Sequence, residues 1–166
     1  MSDAVETAER VGAGSMNRDV IPVHAMLDEE MQRQLEVGND ALAECDKRLD
    51  KKEERDAAKA EILARMEKYK ATTERLKKTY DGTFTFRRKN MGDTLQIAIR
   101  QKQLLGGGQE EEYPDQIVNV AYFCATLERG VTQGPAWWKG PEEILDYDLL
   151  RSIYRGYYEW EESFRS

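Results

Sequence analysis

The sequence predicts a mainly α protein: a long N-terminal helical arm with the rhythm of a coiled coil, then a small helical domain with one short strand or hairpin. Three observations carry this. Apolar residues recur at helical spacing from Leu27 to Tyr80, and neither proline nor glycine interrupts the chain from Asn39 to Asp81. Eleven of the 15 aromatic residues fall within residues 113–166, so the core concentrates in the C-terminal half. Between the two regions, the segment TFTFRRK at 83–89 alternates polar and apolar residues, with Phe84 and Phe86 on one face, which is a strand pattern.

Residues 1–25 read as a disordered or extended tail. Gly12, Gly14 and Ser15 sit among few large apolar groups, too few to offset the entropy of ordering them. The segment lacks a basic n-region and an apolar h-region, so no secretory signal is expected. Ile21-Pro22-Val23 is extended, because proline biases the preceding residue away from helix. His24 beside it reads as a surface or packing residue.

Residues 26–80 form the arm. Leu27, Met31, Leu35, Leu42, Cys45 and Leu49 share a helix face. Gly38-Asn39-Asp40 either starts a second helix or is tolerated inside one. In DKRLDKKEERDAAK the only large apolar residue is Leu49. Ile62, Met66, Tyr69, Thr73, Leu76 and Tyr80 then follow at alternating steps of four and three, an a/d rhythm. The expectation is one helix of about 40 residues, ~60 Å long, against a domain only ~30 Å across; the alternative is a turn near its charged middle that folds the arm back as a helical hairpin. The seam of Met31, Leu35, Leu42, Ile62, Met66, Tyr69 and Leu76 is therefore expected to outrun the domain and bind a partner, by self-association or by docking on a larger assembly.

Residues 81–166 form the α-rich domain. Asp81-Gly82 ends the arm. Asp93 is placed to cap a helix carrying Leu95, Ile97, Ile99, Leu104 and Leu105, which Gly106-Gly107-Gly108 stops. The triple glycine is not a phosphate loop: no Gly-Lys-Ser/Thr follows, and Glu110, Glu111 and Glu112 would repel anions. Asp115 is placed to cap the next helix, apolar on nearly every face from Ile117 to Leu127 and therefore the expected centre of the core. Cys124 fills space within it. Trp137 and Trp138 lie in a loop flanked by Gly134 and Gly140. Adjacent side chains there point different ways, so one tryptophan is expected to be an exposed binding hot spot, Trp137 rather than Trp138. The alternative is that both close the end of the core. The last helix carries Leu149, Leu150, Ile153, Tyr157 and Trp160.

Net charge is −7, with 34% charged residues and a mean hydropathy of −0.77. Residues 1–46 hold 3 bases and 11 acids, residues 47–89 hold 15 and 8, and residues 90–166 hold 7 and 13. The basic middle could suggest nucleic acid, but its bases interleave with acids at i,i+4, as in Glu44/Arg48, Lys52/Asp56, Glu61/Arg65 and Glu74/Lys78, which favours a solvated helix face. No apolar run approaches the ~18 residues of a membrane span. Two cysteines in unlike contexts, Cys45 and Cys124, argue against a disulfide framework and for a reducing compartment. With one histidine there is no zinc constellation. No serine sits in a Gly-x-Ser-x-Gly elbow, and Asp146 and Asp148 flank Tyr147 without sharing a helix face. A non-enzyme is expected, with no catalytic residue, cofactor or metal.

Three ordered segments carry a resemblance. FTFRR leads through Met-Gly-Asp into TLQIAIRQKQLLGG; IVNVAYFCATLERGVTQGPAWW joins an Ala-Thr-Leu-Glu helix to a Pro-x-Trp-Trp loop; ILDYDLLRSIYRGYYEWEESFR ends the chain. Over about residues 83–165 the chain resembles the tail assembly chaperone-like, tail-morphogenesis proteins of long-tailed bacteriophages. The matching positions are packing residues, and the arm at 26–80 has no counterpart in that group. The resemblance implies a small helical protein acting in the host cytoplasm during tail assembly, or retained in the virion, with other phage structural or assembly proteins as partners. Three readings follow: an assembly chaperone, a virion component of tail, neck or head that uses the arm to bind neighbours, and a nucleic-acid-binding packaging or scaffold factor using residues 47–89.

Overall fold

A computed structural model describes residues 18–165. The tail expected over residues 1–25 therefore lies mostly outside the described residues; of its end, Val20–Pro22 is strand β1, but residues 23–25 are already helical, because the helix starts directly behind Pro22 rather than at Met26. The helices are α1 (Val23–Arg48), α2 (Lys52–Thr79), α3 (Met91–Leu104), α4 (Asp115–Gly130) and α5 (Tyr147–Glu162). Strands β2 (Thr83–Phe86) and β3 (Val131–Gln133) complete a small antiparallel sheet in the order β1-β2-β3. Among the described residues, no helix is long and apolar enough to cross a membrane.

The arm is two helices, not one. Leu49 and Lys51 adopt extended φ/ψ at the end of α1 and the start of α2, and the chain turns back on itself there. No glycine or proline marks this turn. The physical reason is burial: the segment around it offers only Leu49 as a large apolar group, so a continuous helix would bury nothing there, whereas folding back lets the seam cover itself. Gly38 remains inside α1 and is buried. A Cβ on Gly38 would lie 2.6 Å from Met66 Cγ, so its bare backbone is what lets α2 approach so closely.

The root of the hairpin belongs to the same core as the C-terminal half. Val23, Met26 and Leu27 from α1 and Leu76 from α2 are buried in one cluster with Phe84, Phe86, Leu127, Leu149, Ile153, Tyr157 and Trp160. The boundary drawn at residue 81 does not divide this cluster. Met26 packs directly on Gly156 of α5. Glu30, buried in α1, lies 3.0 Å from Arg151 of α5, and Arg33 reaches Glu159.

Phe84 and Phe86 point inward from the central strand, 0% and 3% exposed, with β1 paired through Ile21↔Phe84 and β3 through Phe86↔Val131. The strand expected over 83–89 is present over its first four residues, and β3 is a further strand without a signal in the sequence. His24 Nε2 lies 3.2 Å from the Tyr80 carbonyl, a packing contact.

Two helix starts differ from expectation. Asn90, not Asp93, caps α3: the Asn90 side chain accepts from the Asp93 N–H and the Asp93 carboxylate accepts from the Asn90 N–H, a capping box. Asp115 is the first residue of α4 behind Pro114 and makes no side-chain cap. Helix α4 is buried along Ala121, Phe123, Cys124, Ala125, Thr126 and Leu127, but Ile117 on its first turn is 47% exposed.

Candidate protein-binding surface

Helix α3 is anchored on its inner side. Ile97 is 4% exposed, Leu105 just beyond the helix is buried, and Gln101 Nε2 donates to the Val118 carbonyl of α4 at 3.4 Å. Arg100 bridges to Glu128 of α4 at 3.1 Å and to Glu142 at 3.2 Å. At the helix start Asp93 is buried and receives a two-pronged ion pair from Arg87, at 2.6 and 3.1 Å, with Arg129 3.6 Å away. The Arg87 hydrogen bonds, with that from Asn90, hold the Asp93 carboxyl below the usual aspartate range.

A second buried acid closes the same region. Glu161 accepts from the Lys89 N–H at 2.9 Å and from the Tyr157 hydroxyl at 2.9 Å, and pairs with the Lys89 ammonium at 3.2 Å. Burial works to raise the Glu161 pKa, but these hydrogen bonds outweigh it and hold the group below its ordinary value. Every acid in this network is spoken for, so the network fixes the strand-to-helix turn at 87–93. It offers no free acid–base pair. Cys124 is likewise inert, its thiol pushed up to about 11 mainly by burial. Among the described residues, no group of three or more histidines, cysteines or acids is arranged to hold a metal.

The outer side of α3 is the notable surface. Met91, Leu95 and Ile99 stand four residues apart on one face and are 77%, 66% and 51% exposed. A helix packed on one side ordinarily presents charge on the other. Here Asp93, the only acid of α3, is buried, so the outer face has no exposed carboxylate. Past Ile99 the stripe runs into a surface hollow of about 420 Å³ lined by Ile99, Lys102, Gln103, Gly106 and Gly107. Gly106 and Gly107 take φ of 70° and 79°, left-handed values that fold the chain away and leave the hollow open.

Ile117, expected in the core, is exposed, as are Leu95 and Ile99 of the helix expected after Asp93. The signal was present: with Ile97 and Leu104 opposite, α3 has apolar arcs on two sides, and only one can face its own domain.

The residues expected to bind a partner fall into two sets. Along the hairpin, Ile62 and Leu76 are buried, and Met31, Leu35, Leu42, Met66 and Tyr69 are half-buried. Ile62, Met66 and Tyr69 line the groove between α1 and α2, and Met31, Tyr69 and Leu76 meet Arg151 and Ser152 at the root. The seam is therefore largely used within the chain, because it folds back. Trp137 and Trp138 are both half-buried and both pack edge-on against Phe84, with centroids 5.7 and 4.9 Å away. Trp137 also donates its indole N–H to the Asp81 carbonyl at 2.7 Å. The expected contrast of an exposed Trp137 and a buried Trp138 does not hold; the pair closes the end of the core around Phe84.

Comparison with models of known protein families, with curated proteins and with solved structures found no match.

Proposed function

We propose that this chain works without catalysis, by binding other proteins during assembly of a bacteriophage tail, and that the outer face of α3 is its docking surface. The observation that carries the reading is the stripe Met91, Leu95 and Ile99, three large apolar side chains more than half exposed on a rigidly anchored helix. Leu95 and Ile99 lie within TLQIAIRQKQLLGG and Met91 in the Met-Gly-Asp turn before it, both parts of a segment on which the resemblance to tail assembly chaperone-like proteins rests. A chaperone role, in which the face covers a tail protein transiently, and a structural role, in which the face stays occupied in the particle, both use this surface. Other phage structural or assembly proteins are the partners, in the host cytoplasm, with retention in the virion under the structural role. The hairpin's interleaved charges give no reason to invoke nucleic acid.

The test is a phage carrying Leu95→Glu in this gene. Its expected phenotype is loss of tailed particles in electron micrographs while the variant protein accumulates in normal amount. Tailed particles at wild-type yield would refute the reading. Mass spectrometry of purified wild-type particles then separates the two roles, since a chaperone leaves and a structural component stays.

A further inference from the structure

We propose that Met91 is an oxidation site: hydrogen peroxide converts its thioether to the sulfoxide, and the sulfoxide drives the partner off the outer face of α3. The second half of this rests on α3 being the docking face; the first half does not. The chain has six methionines, and Met26, Met31, Met66 and Met91 lie among the described residues. Three of these four are shielded. Met26 is buried with its Sδ against Gly156, and the Met66 Sδ lies against Gly38. Met31 is half-buried at the hairpin root beside Tyr69 and Leu76, where the free space is about 10 Å³. That is at the lower limit for one water and too small for a peroxide. Met91, the first residue of α3, is 77% exposed.

The cysteines do not take the oxidant in its place. Cys124 is buried and its thiol is pushed up to about 11, so almost none of it is the reactive thiolate. Cys45 is half-buried in α1, and its oxidation leaves α3 unchanged. The step on Met91 balances with hydrogen peroxide alone. The sulfur gives an electron pair to one peroxide oxygen, an S–O bond forms, the O–O bond breaks, and the other oxygen leaves as water with both protons. A thiol reductase reverses it: two thiols supply the electron pair and become a disulfide, and the oxygen leaves as water.

The product changes the face on which it stands. Met91 is one end of the stripe that continues, about a turn at a time, through Leu95 and Ile99. As a thioether it adds a flexible apolar group to that stripe. As a sulfoxide it carries a strong hydrogen-bond acceptor, and burying an acceptor without a donor is unfavourable. An apolar partner surface that fits Leu95 and Ile99 offers no donor there. The helix itself is indifferent to the change, because its start is held by the capping box of Asn90 and Asp93, which does not use the Met91 side chain. The added oxygen therefore weakens docking and spares the fold.

Two measurements test this. In the first, hydrogen peroxide is added to the purified full chain and the oxygen gained by each methionine is followed by mass spectrometry of tryptic peptides; residues 90–100 form one that holds Met91 alone. Met91 is expected to oxidise roughly tenfold faster than Met26, Met31 or Met66, and equal rates overturn the proposal. In the second, phages carry Met91→Leu, which cannot be oxidised, or Met91→Gln, which sets a polar oxygen near the place of the sulfoxide. Near-UV circular dichroism of both purified variants is expected to match the wild type. Sublethal peroxide during infection is expected to cut tailed particles of the wild type by about fivefold or more and to spare Met91→Leu, while Met91→Gln shows the same loss without peroxide. Met91→Leu as sensitive as the wild type overturns the proposal. So does Met91→Gln at wild-type yield where Leu95→Glu abolishes tails, and the docking reading then stands. Both variants at wild-type yield overturn the docking reading and the switch with it.

Discussion

Replacing Leu76 by alanine tests whether the hairpin and the C-terminal half are one cooperative unit. Leu76 is 1% exposed and lies in the cluster with Phe84, Leu149 and Ile153. Leucine to alanine removes three carbon groups, ~2.4 kcal/mol at ~0.8 kcal/mol per buried CH₂. The cavity left behind adds roughly 1–2 kcal/mol at ~24 cal/mol per Å³. The expected loss is therefore about 3.4–4.4 kcal/mol, or ~7–18 °C in Tm for a chain of this size. The assay is urea unfolding followed by tryptophan fluorescence. Trp137, Trp138 and Trp160 all lie outside the hairpin, so their signal reports on the body. Because Leu76 is in the hairpin, a lowered tryptophan midpoint means that both parts unfold together. Leu63→Ala, at a position 51% exposed in the same helix, is the control and should cost under ~1 kcal/mol. A tryptophan midpoint unchanged by Leu76→Ala would refute the reasoning and make the hairpin an independent arm.

Further outcomes follow from other contacts. Gly130→Ala would set a Cβ 2.5 Å from the ring of Tyr157, itself 1% exposed, so a loss of ~1–3 kcal/mol is expected on thermal melting. Asp93 and Glu161 both have pKa values depressed in the folded state. Their contribution is thus fully present above the unfolded values of ~3.9 and ~4.3 and is lost as pH falls through the folded values. The urea midpoint should hold from pH 7 to 5 and fall below pH 4, with a flatter fall in Asp93→Asn and Glu161→Gln variants. Leu95→Glu should leave the urea midpoint of the isolated protein within ~0.5 kcal/mol of wild type, because residue 95 is 66% exposed.

Much of the local structure was legible. The alternation at Phe84 and Phe86, the apolar runs opening after Asp93 and Asp115, and the glycines after Leu105 placed one strand and two helices close to their positions. What escaped was the arrangement in space. The turn at Leu49–Lys51 has no breaker residue, and only the return of α2 along α1 explains it. Strand β3 is three residues long and is defined by its pairing with β2. The tryptophans follow from the strand as well: once Phe84 is central, both have a ring to pack against. The exposed stripe on α3 was hidden by the habit of counting every apolar residue as core, since Leu95 and Ile97 look alike until the body covers only one of them.

The account's central claim is that the outer face of α3 meets another protein. A photo-crosslinking amino acid at residue 95, introduced into the chain expressed during phage infection, tests it most directly, with the same probe at the exposed Lys78 as the comparison. The expected result is a crosslink from residue 95 to a single phage tail protein, identified by peptide sequencing, with no such product from residue 78. Crosslinking from residue 95 no more frequent or more specific than from residue 78 would contradict it.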